Sequence, residues 1–451
     1  MLLILLAGIL LLMLGIIYQL CGRDIFSPSV LFSFSYFLSV ICCIWNARAW
    51  GTKLEATTFL LIVTAIIFFF LGEVTIKSIQ VKEACKAYKY SNKYKQEYIY
   101  VPVLIVILVI ILNSLLTLFL YKEVVRIANL NFASWGNLIY NFKTNSNNIE
   151  GASISGIVTQ GLKISKAFAY VFSYIFVNNL FSTTKRKNII LNFVNLIPVF
   201  FVVVQSLLKG VRVAIITLLI AIIFMWYINF QIKKDWHWHI NIKQIRKFSF
   251  ILLLVCAIFY YSKDIVGRLQ DDMGVVTYVT TYLGGPIELL NLFVKQNTDN
   301  SYKIIETMGG LISSLQKIGL FHDGYVINAV REYRSTVTGM QIGNVYGAIR
   351  DYYHDFGFLG VPFGFYFISL FVNVMYYKIK ERRNYNMKKP SLIIIYSTFI
   401  YAIIFLTFSD FLTARLAPGG ILEIIFIWII SSIILKKRIL VKNTDISSLN
   451  I

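Results

Sequence analysis

Long apolar runs alternate with short polar segments along the whole chain, and this pattern is the strongest structural signal in the sequence. The runs are about 17 to 25 residues long, which is the length that a helix needs to cross a hydrocarbon layer of about 30 Å. We find about eleven such runs and predict each one as a membrane-spanning helix. They cover residues 2–20, 28–45, 57–75, 99–121, 160–181, 189–208, 211–230, 247–263, 359–378, 391–408 and 420–435.

The period of the pattern indicates helices. Strand-like alternation over about ten residues is absent, which favours a helical bundle over an outer-membrane barrel. The first run has neither a basic leader nor a small-residue cleavage site, so we predict a retained helix and not a signal peptide. The predicted fold class is an all-α integral membrane protein, with about eleven transmembrane helices and a large helical extracytoplasmic loop.

Composition agrees with this class. Of the 451 residues, 57% are hydrophobic and 14% are charged, whereas soluble domains carry roughly a quarter charged residues. The formal net charge is +21, but the cations are not gathered on one face, so no nucleic-acid partner is expected. The five cysteines predict no disulfide framework, and His237 and His239 are interpreted as part of an interfacial anchor, so no metal site is predicted.

Lysine and arginine collect at alternate ends of the predicted helices. The segment "KSIQVKEACKAYKYSNKYKQEY" holds six lysines, and "TTKRKN", "KIKERRNYNMKK" and "KKRILVK" are also basic. Under the positive-inside rule these segments are cytoplasmic, which predicts an outside N-terminus and a cytoplasmic C-terminus. The loop at 264–358 then faces outward, and its ten acidic residues outnumber its seven lysines and arginines.

This topology divides the chain into three parts. Residues 1–263 carry the first eight helices and an outer loop at about 122–159, residues 264–358 form the large outer loop, and residues 359–451 carry the last three helices and a basic tail. Apolar residues recur at helical spacing within 264–358, so we predict a helical cap or helices on the bilayer surface. Connections this long are uncommon unless they have a function.

The stretch "NVYGAIRDYYHDFGFLG" concentrates polar residues just before a predicted span. On a helix, Arg350 and His354 share one face and Asp351 and Asp355 share the adjacent one. One interpretation is a solvated helix end that is capped by Gly357. The other is a functional site, since an arginine at the edge of a span is well placed to bind an anionic group at the membrane surface.

Two further cations lie in a short turn that is predicted to face outward. Lys209 and Arg212 occur in "SLLKGVRVAIITLL", between two predicted spans. Such cations can simply extend to the interface, but the positive-inside pattern favours none on this side. Together with Arg350 they would form a basic pocket for a lipid phosphate or diphosphate.

Four segments resemble the O-antigen and capsule oligosaccharide repeat-unit polymerases, which are bacterial membrane glycosyltransferases. They are "RDIFSPSVLFSFSYFLS" (23–39), "LLKGVRVAIITLL" (207–219), "TYLGGPIELL" (281–290) and "NVYGAIRDYYHDFGFLGV" (344–361). The resemblance implies a plasma-membrane enzyme whose site faces the periplasm or the cell exterior. It would transfer a growing glycan from undecaprenyl diphosphate onto a new lipid-linked repeat unit, with a chain-length regulator and a flippase as implied partners and no cofactor.

The implied chemistry assigns roles to several residues. Arg212, Arg350 and Lys209 would bind the diphosphate, whose charge develops as it leaves. His354, Asp355 and Glu288 are the candidates for the base that activates the acceptor hydroxyl. Further candidate substrate contacts are Arg126, Trp135, His322, Tyr353, Asp410 and Arg415. For Asp410 and Arg415, a surface ion pair with each other is the other interpretation.

Three alternatives remain at this point. An O-antigen ligase would share the topology and the cationic pocket, because the acceptor is not visible in the sequence. A flippase or another transporter is a different class, but transporters often show repeats and charged or broken helices, whereas these spans are nearly free of internal charge. A non-catalytic scaffold would not explain the outer arginines.

Overall fold

The computed structural model is an almost entirely helical membrane protein, as predicted. It describes residues 1–84, 96–129, 134–149, 151–182, 189–234, 236, 246, 257, 259–263, 265, 273–296, 306–317, 319–320, 331–380 and 390–436. The helices there are α1 (Leu2–Leu20), α2 (Pro28–Trp50), α3 (Ala56–Ala84), α4 (Val103–Ala128), α5 (Trp135–Asn148), α6 (Gly156–Phe181), α7 (Ile189–Val194), α8 (Ile197–Leu208), α9 (Val213–Lys233), α10 (Val275–Gln296), α11 (Gly309–Lys317), α12 (Ala348–Lys380), α13 (Pro390–Ile404), α14 (Phe411–Leu416) and α15 (Pro418–Lys436). Two short antiparallel strands, β1 (Arg334–Ser335) and β2 (Gln341–Gly343), precede α12, and a 3-10 turn at Phe405–Thr407 follows α13.

Eight helices within these ranges are long and apolar enough to cross a membrane. They are α1, α2, α3, α4, α9, α12, α13 with its 3-10 turn, and α15, and each coincides with a predicted span. Their lipid-length apolar surfaces make this a multi-pass membrane protein.

The other three predicted spans have different outcomes. Helix α6 is 26 residues long but more polar than the eight, and most of its side chains are buried by neighbouring helices. The run at 189–208 is divided into α7 and α8, because Pro198 begins a new helix where one continuous span was predicted. Most of the run at 247–263 lies outside the described residues.

The segment predicted as a large outer loop contributes one helix to the main core. Helix α10 packs along α2 so closely that a Cβ at Gly284 would lie 2.5 Å from the backbone nitrogen of Cys43. Ile287 and Leu290, two of the apolar residues that recur at helical spacing within 264–358, are buried in the same core cluster as α2 and α12. One face of α10 is therefore available to position functional groups against the bundle.

Helix α12 is broken at Gly357, and this break shapes the site. Gly357 has φ 66° and ψ −161°, a conformation that is essentially restricted to glycine. The part before the break folds back against the part after it, so that the ring of Tyr352 lies over Gly364 and 5.4 Å from the ring of Phe365. Gly357 thus ends the first helical part as predicted, but that part is packed in the bundle and not solvated.

The opposite end of the bundle is held by a buried ion pair. The carboxylate of Asp24 lies 2.6 Å from Lys380 Nζ and accepts hydrogen bonds from the hydroxyls of Tyr227 and Tyr376, each at 2.6 Å. These contacts join the α1–α2 connection to α9 and to the end of α12. They fix the end of α12 that lies farthest along the helix from Arg350 and His354.

Candidate functional site

A cavity of about 310 Å³ lies where α10, the segment before α11, the β1 strand and the first part of α12 meet. A small number of charged groups and one aromatic ring converge on it, which is typical of a binding or catalytic site. The lining residues are Phe293, Glu306, Arg331, Glu332, Arg334, Arg350 and His354.

Arg350 is the most enclosed cation of this cavity, since its side chain is only 7% exposed. Its Nη1 atom lies 2.9 Å from Glu306 Oε1. Its guanidinium also lies 4.7 Å from the ring centroid of Phe293 and 5.0 Å from that of Tyr346. Cation–π contacts and the ion pair together hold the planar group in one orientation.

Arg331 joins the two acidic groups on either side of Arg350. Its Nη2 atom lies 2.5 Å from Asp351 Oδ1, and its Nε atom lies 3.5 Å from Glu306 Oε2. Burial alone would lower the pKa of Arg331, but the charges of Asp351 and Glu306 hold that pKa above its usual range. Arg331 therefore stays cationic, and it neutralises the fully buried Asp351.

Arg334 completes the group of three arginines. Its guanidinium pairs with Glu332 and lies 5.6 Å from the ring centroid of Phe293. The three cations of the cavity thus all have carboxylate partners. An anion that approached Arg350 would compete with Glu306 for the guanidinium.

His354 and Asp355 form a second functional unit on the same helix. His354 Nδ1 lies 2.9 Å from Asp355 Oδ1, and the histidine lines the cavity. If Nδ1 donates to the carboxylate, Nε2 is the nitrogen that can accept a proton, as in other histidines whose ring is oriented by a carboxylate. The face shared by Arg350 and His354, which was predicted from their spacing, is the face that borders the cavity.

Asp355 itself is arranged as an anchor. Its carboxylate accepts hydrogen bonds from the Thr307 amide at 2.9 Å, from the Thr307 hydroxyl at 2.8 Å and from the Glu306 amide at 3.0 Å. With His354 as a further partner, its oxygens are fully engaged. The geometry therefore favours His354 over Asp355 as the base, with Asp355 holding both the histidine and the segment that carries Glu306.

Glu288, the third candidate base, lies elsewhere. It is buried beside Asn291, which donates to Glu288 Oε2 at 3.5 Å and to the Lys53 carbonyl at 3.0 Å. Burial raises the pKa of Glu288 to about 7. Asn291 joins α10 to the connection after α2, and Glu288 is not part of the cavity lining.

The structure does not join Lys209, Arg212 and Arg350 into the single pocket that was predicted. The Arg212 guanidinium lies 4.0 Å from the ring centroid of Phe259 and donates to the Tyr278 hydroxyl at 2.8 Å. Lys209 lies in the turn after α8, near Lys166 of α6. Arg212 and Arg350 have different partners, and neither Lys209 nor Arg212 lines the cavity that holds Arg350.

The candidate substrate contacts are scattered. Arg126 pairs with Glu123 at 2.5 Å, and the Trp135 ring nitrogen donates to the Ile265 carbonyl at 3.1 Å. Tyr353 packs beside Phe293 with ring centroids 6.5 Å apart, next to the cavity. His322 lies outside the described residues.

Asp410 and Arg415 do not form the surface ion pair that was one of their two interpretations. Asp410 is buried and caps α14 by accepting from the amides of Leu412 and Thr413. Arg415 is also buried, and its Nη1 atom lies 2.9 Å from Glu423 Oε1. Asp410 and Arg415, at the two ends of the short helix α14, therefore have different partners.

Sequence reasoning missed five of the seven residues that line the cavity. All five lie within the large predicted loop, and they reach the cavity beside Arg350 only through folding: Phe293, Glu306, Arg331, Glu332 and Arg334. The signal that could have indicated three of them is "REYR" (331–334), two arginines three apart in a loop whose acidic residues outnumber its basic ones.

No protein-family model matches the chain, and neither does any curated protein or solved structure. The function must therefore be inferred from the chemistry of the cavity and from the motifs of the sequence.

Proposed function

We propose that this protein is a glycosyltransferase of the bacterial plasma membrane, which polymerises undecaprenyl-diphosphate-linked oligosaccharide repeat units at the outer face. The observation that carries the proposal is the cavity in which Arg331, Arg334 and Arg350 surround an oriented histidine. Its volume of about 310 Å³ suits the reacting end of a glycan and not the whole substrate. The sugars beyond the reacting unit would extend into water, and the lipid into the bilayer.

Each group of the cavity has a role in such a transfer. His354 accepts the proton of the acceptor hydroxyl, while Asp355 holds the ring in the required orientation. Arg350 stabilises the negative charge that develops on the departing diphosphate, and Glu306 is released from Arg350 as that charge arrives. The rings of Phe293 and Tyr346 hold the Arg350 guanidinium in position. No residue of this scheme requires a metal ion.

The test is the length of glycan made by a strain that lacks this gene and is complemented with variants at equal protein abundance. Wild type should restore a ladder of long chains, and Arg350→Ala should leave single repeat units. Loss of one charge-stabilising donor lowers catalytic rates by about 100-fold to 1,000-fold. Arg48→Ala is the matched control, since Arg48 is exposed in the last turn of α2. A normal ladder with Arg350→Ala at normal abundance would refute the assigned site.

The same strain separates the alternatives. Long chains that remain on undecaprenyl diphosphate in the deletion would identify a ligase, which moves a finished glycan. A second candidate function, a flippase for the same lipid-linked units, is favoured by one observation: α12 is broken at Gly357 and buries Arg350 and Asp351, and broken helices with buried charges are common in transporters. If lipid-linked units in the deletion strain never become exposed at the outer face of the membrane, the flippase is supported.

A further inference from the structure

The cavity that holds Arg331, Arg334 and Arg350 is here called the arginine cavity. A second group of cations lies on the other side of α14 from it. Asp410, at the start of α14, interacts electrostatically with Arg331 of the cavity, whereas Arg415, in the last turn of α14, pairs with Glu423 of α15. A helix of six residues rises on the order of 9 Å. The two groups are therefore close to each other but separate.

The second group, here called the lysine cluster, consists of Lys163, Lys166, Lys209 and Arg415. Lys166 Nζ lies 4.0 Å from Glu423 Oε2, on the same carboxylate that Arg415 contacts at 2.9 Å. A Cβ placed on Gly419 would lie 3.4 Å from Lys163 Nζ, so Lys163 reaches the beginning of α15. Burial and the nearby Lys166 charge both lower the pKa of Lys209, which shows that these lysines repel each other.

The charges of the lysine cluster do not balance. Lys166 and Arg415 pair with Glu423, and Lys163 interacts with it electrostatically. Lys209 lies near Lys166, so four cations accompany this one carboxylate among the contacts of the described residues, which leaves three positive charges in excess (four minus one). In the arginine cavity, by contrast, Arg331, Arg334 and Arg350 face Glu306, Glu332 and Asp351. Like charges held together in a partly buried place are unfavourable unless an anion joins them.

The backbone adds to the same attraction. Helix α15 begins at Pro418 beside Lys163, and its first amides carry the positive end of the helix dipole. Amides at a helix N-terminus bind phosphate groups well when cations accompany them. Lys166 remains 37% exposed, so the cluster can be reached from outside the bundle.

We propose that the lysine cluster is a phosphate-binding site, in which Lys163, Lys166 and Lys209 hold the phosphate or diphosphate of a lipid at the membrane surface. A transferase that joins two lipid-linked molecules handles two diphosphates, so the role given to this site deepens the proposed function and rests on it. The binding of phosphate by the cluster does not rest on the proposed function, because it follows from the charge imbalance.

The experiment measures binding to the purified full-length chain in uncharged detergent by isothermal titration calorimetry. The probes are farnesyl diphosphate, a short isoprenyl diphosphate, and inorganic pyrophosphate. A charge-assisted contact changes affinity by about tenfold or more, so the Lys166→Gln/Lys209→Gln variant should bind farnesyl diphosphate about 100-fold more weakly at this site. Lys122→Gln, at an exposed lysine of α4, is the matched control and should bind as wild type does.

The outcomes decide both the site and the source of the phosphate. Equal binding of both probes to wild type shows that the phosphate alone is recognised, and binding of farnesyl diphosphate alone shows that the lipid is required. Binding by the double variant within threefold of wild type, an equal loss in Lys122→Gln, or no binding to wild type overturns the proposal.

If the double variant elutes as an aggregate, single changes replace it. Lys209→Gln should then weaken binding about tenfold, and Lys209→Arg should retain it because the charge is kept. Equal affinities of these two variants overturn the proposal. Glycan length is not measured here, so a failed polymerase assay leaves the result intact.

Discussion

Arg350 and Glu306 form an ion pair, with Nη1 and Oε1 2.9 Å apart, that connects the broken helix α12 to the segment before α11. Asp355 holds the same segment through the amides of Glu306 and Thr307. Two side chains from one short helical part thus fix the position of Glu306 at the cavity. This double attachment makes the first part of α12 the organising element of the site.

Asp355→Asn should destabilise the protein and, under the proposed function, prevent glycan elongation. The amide retains one accepting oxygen and presents an NH2 group where the carboxylate receives donors from Thr307 and Glu306, so the expected loss is about 2 to 4 kcal/mol. The melting temperature of the purified protein measures it. Glu123→Gln, in a partly exposed pair with Arg126, should cost less than about 1 kcal/mol. If the melting temperature of Asp355→Asn equals that of wild type, the anchoring role of Asp355 is contradicted.

Gly357→Ala should also lower stability, through the backbone. A side chain at φ 66° and ψ −161° is strained by about 1 to 3 kcal/mol, and relief of this strain would straighten α12 and move Arg350 away from Glu306. Gly156→Ala is the matched control, because Gly156 lies in a helix and a Cβ there meets nothing within 4 Å. We expect a lower melting temperature for Gly357→Ala alone. Equal melting of the two variants would show that the break tolerates a side chain.

Glu288 makes stability depend on pH. Its pKa is raised by burial from 4.5 to about 7, so the folded protein keeps a proton that the unfolded chain releases, and stability falls as pH rises from about 4.5 to 7. Glu288→Gln mimics the protonated acid and should remove up to about 2 kcal/mol of this fall. Melting temperatures at pH 5 and pH 8 measure the difference, with Glu55→Gln as the control. A slope unchanged in Glu288→Gln would exclude Glu288 as its source.

Lys380→Met should unfold the end of the bundle opposite the cavity. Asp24 would keep its two tyrosine hydrogen bonds but lose its cation, and removal of one partner of a buried pair costs about 3 to 5 kcal/mol. The double variant Asp24→Asn/Lys380→Met should recover part of this loss, since no unpaired charge remains. Chemical denaturation of the purified variants measures both. A double variant less stable than Lys380→Met would show that the ion pair is not the main interaction of Asp24.

Local features of this protein could be predicted from the sequence because they depend on neighbouring residues. The apolar runs determine that the chain crosses a membrane, since the free energy of inserting a helix is close to a sum over its own residues. The spacing of Arg350 and His354 placed them on one face, and Gly357 ended their helix as predicted.

The convergence of Arg331, Arg334 and Glu306 on Arg350 was decided only by the tertiary structure. Nothing in a hydrophobic pattern specifies that α12 folds back at Gly357, because this depends on the packing of Tyr352 against later residues of the same helix. For the same reason Arg415 pairs with Glu423 and not with Asp410. Buried charges must be neutralised by whichever opposite charge the packing brings within reach, and that choice is made between helices and not along the chain.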